Sequence, residues 1–300
     1  MRTYLCIDVG GTAIKYALIK EDGTLFSTSS TPTPKTSFED LLTVFDNLVH
    51  PVYNQVSGIA ISFPGRVNNI TGHVYTGGAI DHFMNNVPFK QLLEQRYQLP
   101  VAIENDGKCA ALAELWLGNL KDVHSGAVLC VGYGIGGGIV LDRKLWRGVN
   151  DSAGEFCCML TDYSKEIHHS LFNTSNGIFG LLRPYAERKN IDVKEINGYD
   201  FFNALHQQDE DAKQVFESYI HHFLSGIFTL QAILDLEKIC IGGGISSEDS
   251  FIESLKNTVN EYFDCAPAYI AVNRPVIDRC AFRNSANLIG ALKNFLDIHG

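Results

Sequence analysis

The sequence predicts an α/β protein built from two duplicated domains. The chain has 300 residues, which is more than one hydrophobic core usually serves and enough for two. A strand, a glycine turn, a second strand and a hairpin follow one another at residues 4–28 and again at 127–148. An internal repeat of this kind indicates two related α/β domains. Turn-forming residues at 118–126 mark the break, so the predicted domains are 1–118 and 119–300.

The elements of the first domain follow from its apolar runs. Runs bounded by turn residues predict strands at 4–9, 13–20, 24–28, 58–62 and 101–104. Apolar residues at helical spacing predict helices at 38–49 and about 107–117. Ser37 suits the N-cap of the first helix because its hydroxyl can accept a backbone N–H.

The second domain repeats the pattern and then becomes helical. The sequence predicts a strand at 127–131, a glycine turn at 132–137 and a return strand at 138–141. A helix-rich segment at 167–235 and a short strand at 238–241 follow. The last helix is predicted at about 284–297, and we expect that it can pack back on the first domain.

Charge and composition exclude several classes of protein. The formal net charge is −10 and no basic cluster is present, which argues against a nucleic-acid partner. No window approaches 18 apolar residues and the first residues lack a signal-peptide run, so we expect no membrane span and a cytoplasmic location. The eight cysteines suit small buried side chains in a reducing compartment better than disulfides.

The first chemical motif is Asp-Val-Gly-Gly-Thr-Ala-Ile-Lys at residues 8–15. Gly10 and Gly11 let backbone N–H groups approach phosphate oxygens, and the Thr12 hydroxyl could add a donor. Asp8 could organise Mg²⁺ through water, and Lys15 could neutralise phosphate charge. The alternative is a hairpin turn that needs glycine only for its backbone. No helix with Lys-Ser/Thr follows, so this is not a Walker loop.

The second motif places five glycines among the seven residues 132–138. A simple hairpin needs one or two, and the others cost conformational entropy. The excess indicates close approach by a ligand, for which phosphate is the obvious candidate. The contacts would come from Gly132, Gly134, Gly136 and Gly137.

Glu104-Asn105-Asp106 stands where a strand meets a helix. Asp106 could act as the general base that takes a proton from an attacking hydroxyl. Its alternative role is the N-cap of the following helix, for which Asp is a preferred residue. Asn105 could hold neighbouring hydroxyl groups. The residues alone leave both roles of Asp106 open.

Two further motifs carry weaker signals. Glu155, in Ser-Ala-Gly-Glu, could accept hydrogen bonds from sugar hydroxyls or could simply begin a solvated helix. Three glycines at 242–244 follow a strand, where α/β sheets bind ligands, and would let an adenine ring lie flat on the backbone. Their alternative is a flexible turn.

In this order the motifs resemble the ROK family (repressor, open reading frame, kinase). The residues that carry the resemblance span the chain: 8–15, Pro64-Gly65, 104–106, 132–138, Ala153-Gly154-Glu155 and 242–244. The resemblance implies an actin-like ATPase (ribonuclease H-like) fold with sugar and ATP in an interdomain cleft. It also implies an ATP- and Mg²⁺-dependent sugar kinase that phosphorylates the 6-hydroxyl of a hexose unit, and a homodimer.

The resemblance also implies roles for individual residues. Asp106 would be the catalytic base. The sugar would contact Asn105, Glu155, Gly65 and Gly78. Nucleotide and Mg²⁺ would contact Asp8, Gly10, Gly11, Thr12, Lys15, Gly132, Gly134, Gly136, Gly137, Gly243 and Gly244.

Two departures from the family pattern fall at the sugar end. Many members have Gly-Glu-x-Gly-His and a cysteine-rich zinc loop, whereas Cys158 stands here in place of the His and the loop is absent. Adjacent Cys157-Cys158 and His168-His169 do not match zinc spacing, so we expect no structural zinc site. Gly-Gly-Ala-Ile at 77–80 replaces the usual Asn.

The departures could open space at the first carbon of the sugar. The sequence therefore favours a β-glucoside kinase acting on cellobiose or aryl β-glucosides, with glucokinase and N-acetylmannosamine kinase as alternatives. An alternative of another class is a non-catalytic sugar-sensing regulator. Because the first phosphate motif begins at residue 8, we expect no DNA-binding domain ahead of it.

Overall fold

The computed structural model describes residues 1–162, 164–267 and 269–300. These residues form two compact units. Unit 1 contains Met1–Lys121, Lys144–Gly154 and Asn284–Gly300, and unit 2 contains Asp122–Arg143 and Glu155–Arg283. The chain therefore returns to unit 1 twice, first with Lys144–Gly154 and then with Asn284–Gly300, which contains the last helix. Both segments lie within the predicted second domain, 119–300.

Unit 1 is built on a sheet of five strands. The strands of the unit, of which five form this sheet, are β1 (Thr3–Val9), β2 (Ala13–Lys20), β3 (Leu25–Pro32), β4 (Ile59–Phe63), β5 (Val67–Asn68), β6 (His73–Val74), β7 (Val101–Asn105) and, later in the chain, β10 (Lys144–Trp146). The sheet order is β3-β2-β1-β4-β7. β1 to β3 are antiparallel neighbours, whereas β1, β4 and β7 are parallel. β4 and β7 are buried along their whole length, as expected of parallel strands covered on both faces.

Helices cover both faces of this sheet. They are α1 (Phe38–Val49), α2 (Asp81–Met84), α3 (Phe89–Tyr97), α4 (Asp106–Trp116) and α10 (Ala286–His299). The predicted bounds and cap of α1 are confirmed, since the Ser37 hydroxyl accepts from the backbone N–H of Asp40. α10 lies so close to α4 that a side chain at Gly290 would overlap the Cys109 carbonyl.

Unit 2 repeats this architecture. Its strands β8 (Gly126–Val131), β9 (Ile135–Leu141), β11 (Lys238–Gly242) and β12 (Val276–Arg279) follow the order β9-β8-β11-β12. β8 and β9 form an antiparallel hairpin, and β8, β11 and β12 are parallel. The helices are α5 (Phe172–Asn176), α6 (Ile178–Lys189), α7 (Gly198–His206), α8 (Glu210–Leu234) and α9 (Asp249–Cys265). The predicted duplication is thus visible as an antiparallel hairpin, β1–β2 or β8–β9, whose first strand joins two parallel strands in each unit.

The glycine turn of unit 2 is shorter than predicted. β9 begins at Ile135 and not at Gly138, so Gly136 and Gly137, which were predicted in the turn, pair with β8. A side chain at Gly137 would overlap the Val128 carbonyl and reach the Phe156 ring at 2.6 Å. Packing against Phe156 therefore accounts for this glycine without a ligand.

Two smaller findings concern the end of one strand and the search for membrane-spanning helices. β3 continues to Pro32, beyond the predicted end at Thr28, because it stays paired with β2. Within the described ranges every helix is too short or too polar to cross a lipid bilayer.

Candidate functional site

The parallel strands of unit 1 bring three motifs to one edge of the sheet. Asp8 on β1 is level with Ser62 on β4, and Ser62 is level with Glu104 on β7. Because neighbouring strands lie about 4.8 Å apart, Asp8 and Glu104 are separated by roughly 10 Å. The residues that follow each strand line the carboxyl edge, which is where α/β sheets bind ligands.

Asp8 is nearly buried at this edge, with 7% of its surface exposed. Its Oδ1 accepts from Ser62 Oγ at 2.7 Å and from Asn287 Nδ2 at 3.0 Å. Burial raises the pKa of the Asp8 carboxyl, while these hydrogen bonds and the charge of Lys15 oppose the rise. Lys15 is the residue opposite Asp8 on β2. Both described bonds end on Oδ1, which leaves Oδ2 as the oxygen to face a ligand.

The turn after Asp8 is closed by a bond within the motif and is also contacted by two residues outside it, Thr33 and Lys35. The N–H of Gly10 donates to the Ala13 carbonyl at 3.0 Å, closing the turn, and Thr33 Oγ1 donates to the Gly10 carbonyl at 2.6 Å. Lys35 Nζ donates to the Gly11 carbonyl. Thr12 is exposed. Lys35 brings a positive charge to the turn, but it belongs to no local motif and was not predicted from the sequence.

Asn105, rather than Asp106, is the N-cap of α4. Asn105 Oδ1 accepts from the backbone N–H of Lys108 at 3.1 Å, and Asp106 is the first residue of the helix. Asn105 Nδ2 donates to Asp106 Oδ1 at 2.9 Å and to the Gly65 carbonyl at 2.8 Å. The capping alternative for Asp106 was therefore wrong, and its carboxylate is half-exposed beside the cap at a helix N-terminus.

An ion pair with a fully buried carboxylate lies next to this turn. Glu104 is completely buried, and its Oε2 accepts from Arg147 Nε at 2.7 Å. Its Oε1 accepts from the backbone N–H of Asn105 at 2.7 Å. Burial raises the pKa of Glu104, and the positive charge of Arg147 opposes that rise. Glu104 stands in a predicted motif, whereas Arg147 lies 43 residues further along the chain and was not predicted from the sequence.

Gly65 and Gly78 lie in two loops that touch. Gly65 has φ +82° and a side chain there would overlap the Thr76 carbonyl, while Gly78 has φ +56° and lies near Pro64. Both glycines are thus required by the backbone. A side chain at Gly11 would meet the Ala79 Cβ at 3.0 Å, so the 77–80 loop also borders the turn after Asp8. Unit 1 gathers the two predicted sugar-side glycines beside Asp106 and the first phosphate motif.

The second glycine motif is packed against two helices of unit 2. The N–H of Ile135 donates to Asn173 Oδ1 at 3.1 Å, and a side chain at Gly134 would meet that same oxygen at 3.0 Å. The N–H of Ile178, the first residue of α6, donates to the Gly132 carbonyl at 2.9 Å. The N-terminus of a twelve-residue helix therefore adjoins the loop, and its partial positive charge favours an anion.

A cavity of about 600 Å³ opens beside this loop. It lies at the carboxyl edge of the unit 2 sheet, since its wall includes Val131 at the end of β8, Gly132 after it and Gly244 after β11. Most of the wall is apolar or aromatic, including Tyr133, Phe179, Leu182, Ile196, Tyr199 and Phe202. Its volume and lining are typical of sites for small organic ligands.

The two glycines predicted near adenosine differ in their surroundings. Gly243 has φ +81°, and a side chain there would overlap the Val131 carbonyl, so the fold itself requires glycine. Gly244 lines the cavity, and a side chain there would meet no protein atom within 4 Å.

Glu155 lies in unit 2 beside two adjacent cysteines. Cys157 Sγ is 3.9 Å from Glu155 Oε2 and 3.6 Å from Cys158 Sγ. Burial, followed by the hydrogen bond with Cys158, raises the pKa of Cys157 to about 12. In the part of the chain that the structure describes, no group of three His, Cys, Asp or Glu side chains is arranged for a metal ion. That zinc is absent from the protein stays a prediction.

Comparison with known proteins places the chain in a family. The sequence model of the ROK family matches residues 4–297. A β-glucoside kinase of Listeria innocua is 34% identical over 291 residues, 96% of each chain. The crystal structure of a ROK family protein from Streptococcus pneumoniae in complex with sucrose has a TM-score of 0.87 at 30% identity and covers 98% of both chains.

A more distant structure agrees on the fold. A ROK family glucokinase from Streptomyces griseus, solved with glucose and AMPPNP, has a TM-score of 0.82 at 23% identity and covers 97% of this chain and 98% of its own. The predicted fold class, two duplicated α/β halves of the actin-like ATPase type, is confirmed.

Proposed function

The chain belongs to the ROK family, and we propose that it is an ATP-dependent sugar kinase acting on the 6-hydroxyl of a hexose unit. One structural observation supports this proposal independently of the similarity to known kinases. Asp106 is relieved of helix capping by Asn105 and lies on the edge of unit 1 that also holds Asp8 and the first phosphate motif. A base for the acceptor and a turn for phosphate thus share one face.

Asp106 is assigned the role of general base. As the sugar hydroxyl attacks the γ-phosphorus, its proton passes to the carboxylate of Asp106. Asn105 Nδ2 and the N–H of Gly107 both donate to Oδ1 of Asp106, which orients the carboxylate. Exclusion of water from this face would keep ATP from being hydrolysed.

The nucleotide is assigned to glycine motifs of both units. In unit 2 the adenosine would occupy the 600 Å³ cavity against Gly244, with Gly243 shaping the turn behind it. Backbone N–H groups around Gly132, Gly134 and Gly136 would face phosphate oxygens, helped by the N-terminus of α6. Gly137 has its packing role instead.

In unit 1 the phosphates would meet Gly10, Gly11, Thr12 and Lys15, with Lys35 as an added positive charge. Asp8 fits a hydrated Mg²⁺, because its carboxylate is a hard oxygen donor at this edge and its described bonds leave Oδ2 to a metal-bound water. Mg²⁺, when bound, would offset phosphate charge.

For the sugar we propose contacts from Asn105 and Glu155 and from the backbone at Gly65 and Gly78. Two observations support a β-glucoside as the preferred substrate. The relatives at 34% and 33% identity are β-glucoside kinases. Cys158, which stands where many family members have His, is exposed at the protein surface. A smaller side chain there leaves room for a group on the first carbon.

The proposal includes two properties of the whole protein. We expect a cytoplasmic enzyme, and by family resemblance a homodimer. Cell fractionation and light scattering in solution test these expectations.

The deciding experiment is ADP release with Mg-ATP in the presence of glucose, N-acetylmannosamine, fructose, cellobiose or an aryl β-glucoside. Turnover that depends on a sugar supports the kinase, and turnover highest with the two β-glucosides supports the substrate class. Turnover with glucose or N-acetylmannosamine alone would keep the kinase and reject the β-glucoside assignment. Sugar binding without ADP release from any member of the panel would contradict the kinase and favour a sugar-sensing regulator.

A further inference from the structure

The carboxyl end of β7 is held by side chains from three separated parts of the chain. Glu104 comes from β7, Arg147 from the segment Lys144–Gly154 and Asn294 from α10, all within unit 1. Arg147 Nε donates to Glu104 Oε2 at 2.7 Å, and Arg147 Nη2 donates to Asn294 Oδ1 at 3.2 Å. Asn294 Nδ2 in turn donates to the Ile103 carbonyl at 3.4 Å. The three side chains close a polar network around residues 103–105.

Two of the three side chains in this network cannot act on a ligand directly, whereas the third, Arg147, is partly exposed. Glu104 and Asn294 have no exposed surface, so neither can touch sugar or nucleotide. Their only route to the reaction is through the backbone that they hold. Glu104 Oε1 accepts the N–H of Asn105, the residue that caps α4 and donates to Asp106. A shift of Glu104 would therefore move the cap and the carboxylate together.

Arg147 is the group that fixes Glu104. A planar guanidinium can bond a carboxylate with one nitrogen and an amide with another, which an ammonium group cannot reproduce in the same geometry. Burial makes a carboxylate without a partner costly, so the pair is also held firmly in place. Lys108, buried one turn into α4, adds a second positive charge near Glu104 but lies on the helix whose start must be fixed.

We propose that Arg147 is a positioning residue for the kinase reaction, fixing Asp106 through Glu104 and the backbone of Asn105. The inference rests on the proposed function for its catalytic consequence, while its structural consequence, an ordered start of α4, can be measured without any activity. The segment that carries Arg147 is also fastened to unit 1 by Asn68 Nδ2, which donates to Asp151 Oδ2 at 2.8 Å. Hydrogen bonds therefore hold both the segment that carries Arg147, through Asp151, and the Arg147 guanidinium itself.

The test compares three variants of the full chain. Arg147→Lys keeps the charge but loses the two-point geometry. Glu104→Gln with Arg147→Met removes both charges of the pair together, so neither member is left facing a missing partner if the single variant folds poorly. Arg96→Lys is the matched control, because Arg96 also bonds a carboxylate of unit 1 with two nitrogens, Asp46 at 2.7 and 2.5 Å, outside the network of Glu104, Arg147 and Asn294.

Three quantities are measured for each variant: thermal stability, steady-state kinetics, and hydrogen exchange of the amides at residues 105–107. For Arg147→Lys and for the double variant we expect faster exchange at these amides and a kcat lower by about tenfold to a hundredfold. The KM for ATP should stay within about twofold, because the network touches the acceptor side only. Arg96→Lys should leave exchange at 105–107 and kcat unchanged.

Unchanged exchange and kcat in a folded Arg147→Lys protein would overturn the proposal. So would a loss of kcat that only follows the loss of folded protein and that Arg96→Lys shares. If the wild-type chain itself released no ADP with any sugar, the proposed function would fail, and the exchange comparison would still decide whether Arg147 fixes the start of α4.

Discussion

Asn105 and Asp106 divide two tasks that either residue type could perform. Asn105 Oδ1 caps α4 by accepting the N–H of Lys108, and Asn105 Nδ2 donates to Asp106 Oδ1 at 2.9 Å. The cap therefore also orients the neighbouring carboxylate. This arrangement is the basis for assigning proton abstraction to Asp106.

Replacing Asp106 with Asn tests that assignment. Asn can keep the bonds to Asn105 and Gly107 at its oxygen but cannot accept the proton, so we expect kcat to fall by about a hundredfold to ten-thousandfold. Binding of an ATP analogue, measured by calorimetry, should change little. Asp22→Asn, on the exposed β2–β3 turn, is the control and should leave kcat unchanged. Near-normal kcat in a folded Asp106→Asn protein would remove Asp106 from the mechanism.

Replacing Asp8 with Asn should raise the stability of the protein and lower its activity. Burial is the largest influence on its pKa and raises it, so the charged form is disfavoured in the folded protein. A raised folded pKa contributes stability below the unfolded pKa of about 3.9 that is lost as the pH rises through the folded pKa. Asp8→Asn, which is neutral at all pH values, should therefore melt at a higher temperature than wild type at pH 7, with kcat strongly reduced.

The pH dependence checks the cause of that effect. The gain in melting temperature should shrink as the pH falls from 7 towards 4, because wild-type Asp8 then becomes neutral as well. A less stable Asp8→Asn protein at pH 7 would mean that the bonds from Ser62 and Asn287 to the charged form outweigh burial.

Gly243 and Gly244 form a matched pair for the nucleotide site. Gly243→Ala forces a side chain into a left-handed backbone and against the Val131 carbonyl, so we expect a melting temperature several degrees lower. Gly244→Ala meets no protein atom and should keep the wild-type melting temperature. Because Gly244 lines the cavity, the KM for ATP should nevertheless rise. An unchanged KM for ATP in Gly244→Ala would separate the cavity from adenosine binding.

Cys158 tests the proposed β-glucoside preference. Cys158→His restores the larger side chain that many family members carry, and we expect it to lower kcat/KM for an aryl β-glucoside relative to glucose by about tenfold. The ratio of kcat/KM for the two substrates reports on the sugar pocket, because general damage to the enzyme lowers both values alike. Cys265→His, at another exposed cysteine, should leave the ratio unchanged. An unaltered ratio in Cys158→His would reject this residue as the cause of the preference.

The sequence by itself determined the parts of the protein that depend on neighbouring residues. The helix over 38–49 with its Ser37 cap, the strands of both hairpins and the order of the motifs follow from local apolar periodicity and turn chemistry. The same order was sufficient for the family and the fold class, since six short motifs at increasing positions rarely coincide.

Tertiary structure alone decided which groups meet. The pairing of Phe63 with Asn105 sets where β7 ends, and that end makes Asn105 the cap instead of Asp106. The pairing of Val131 with Ile135 draws three glycines of the second motif into a strand. The partners Arg147 of Glu104 and Asn287 of Asp8 lie 43 and 279 residues away. Local propensity carries no information about contacts at such separations, because they form only when sheet register and helix packing bring distant segments together.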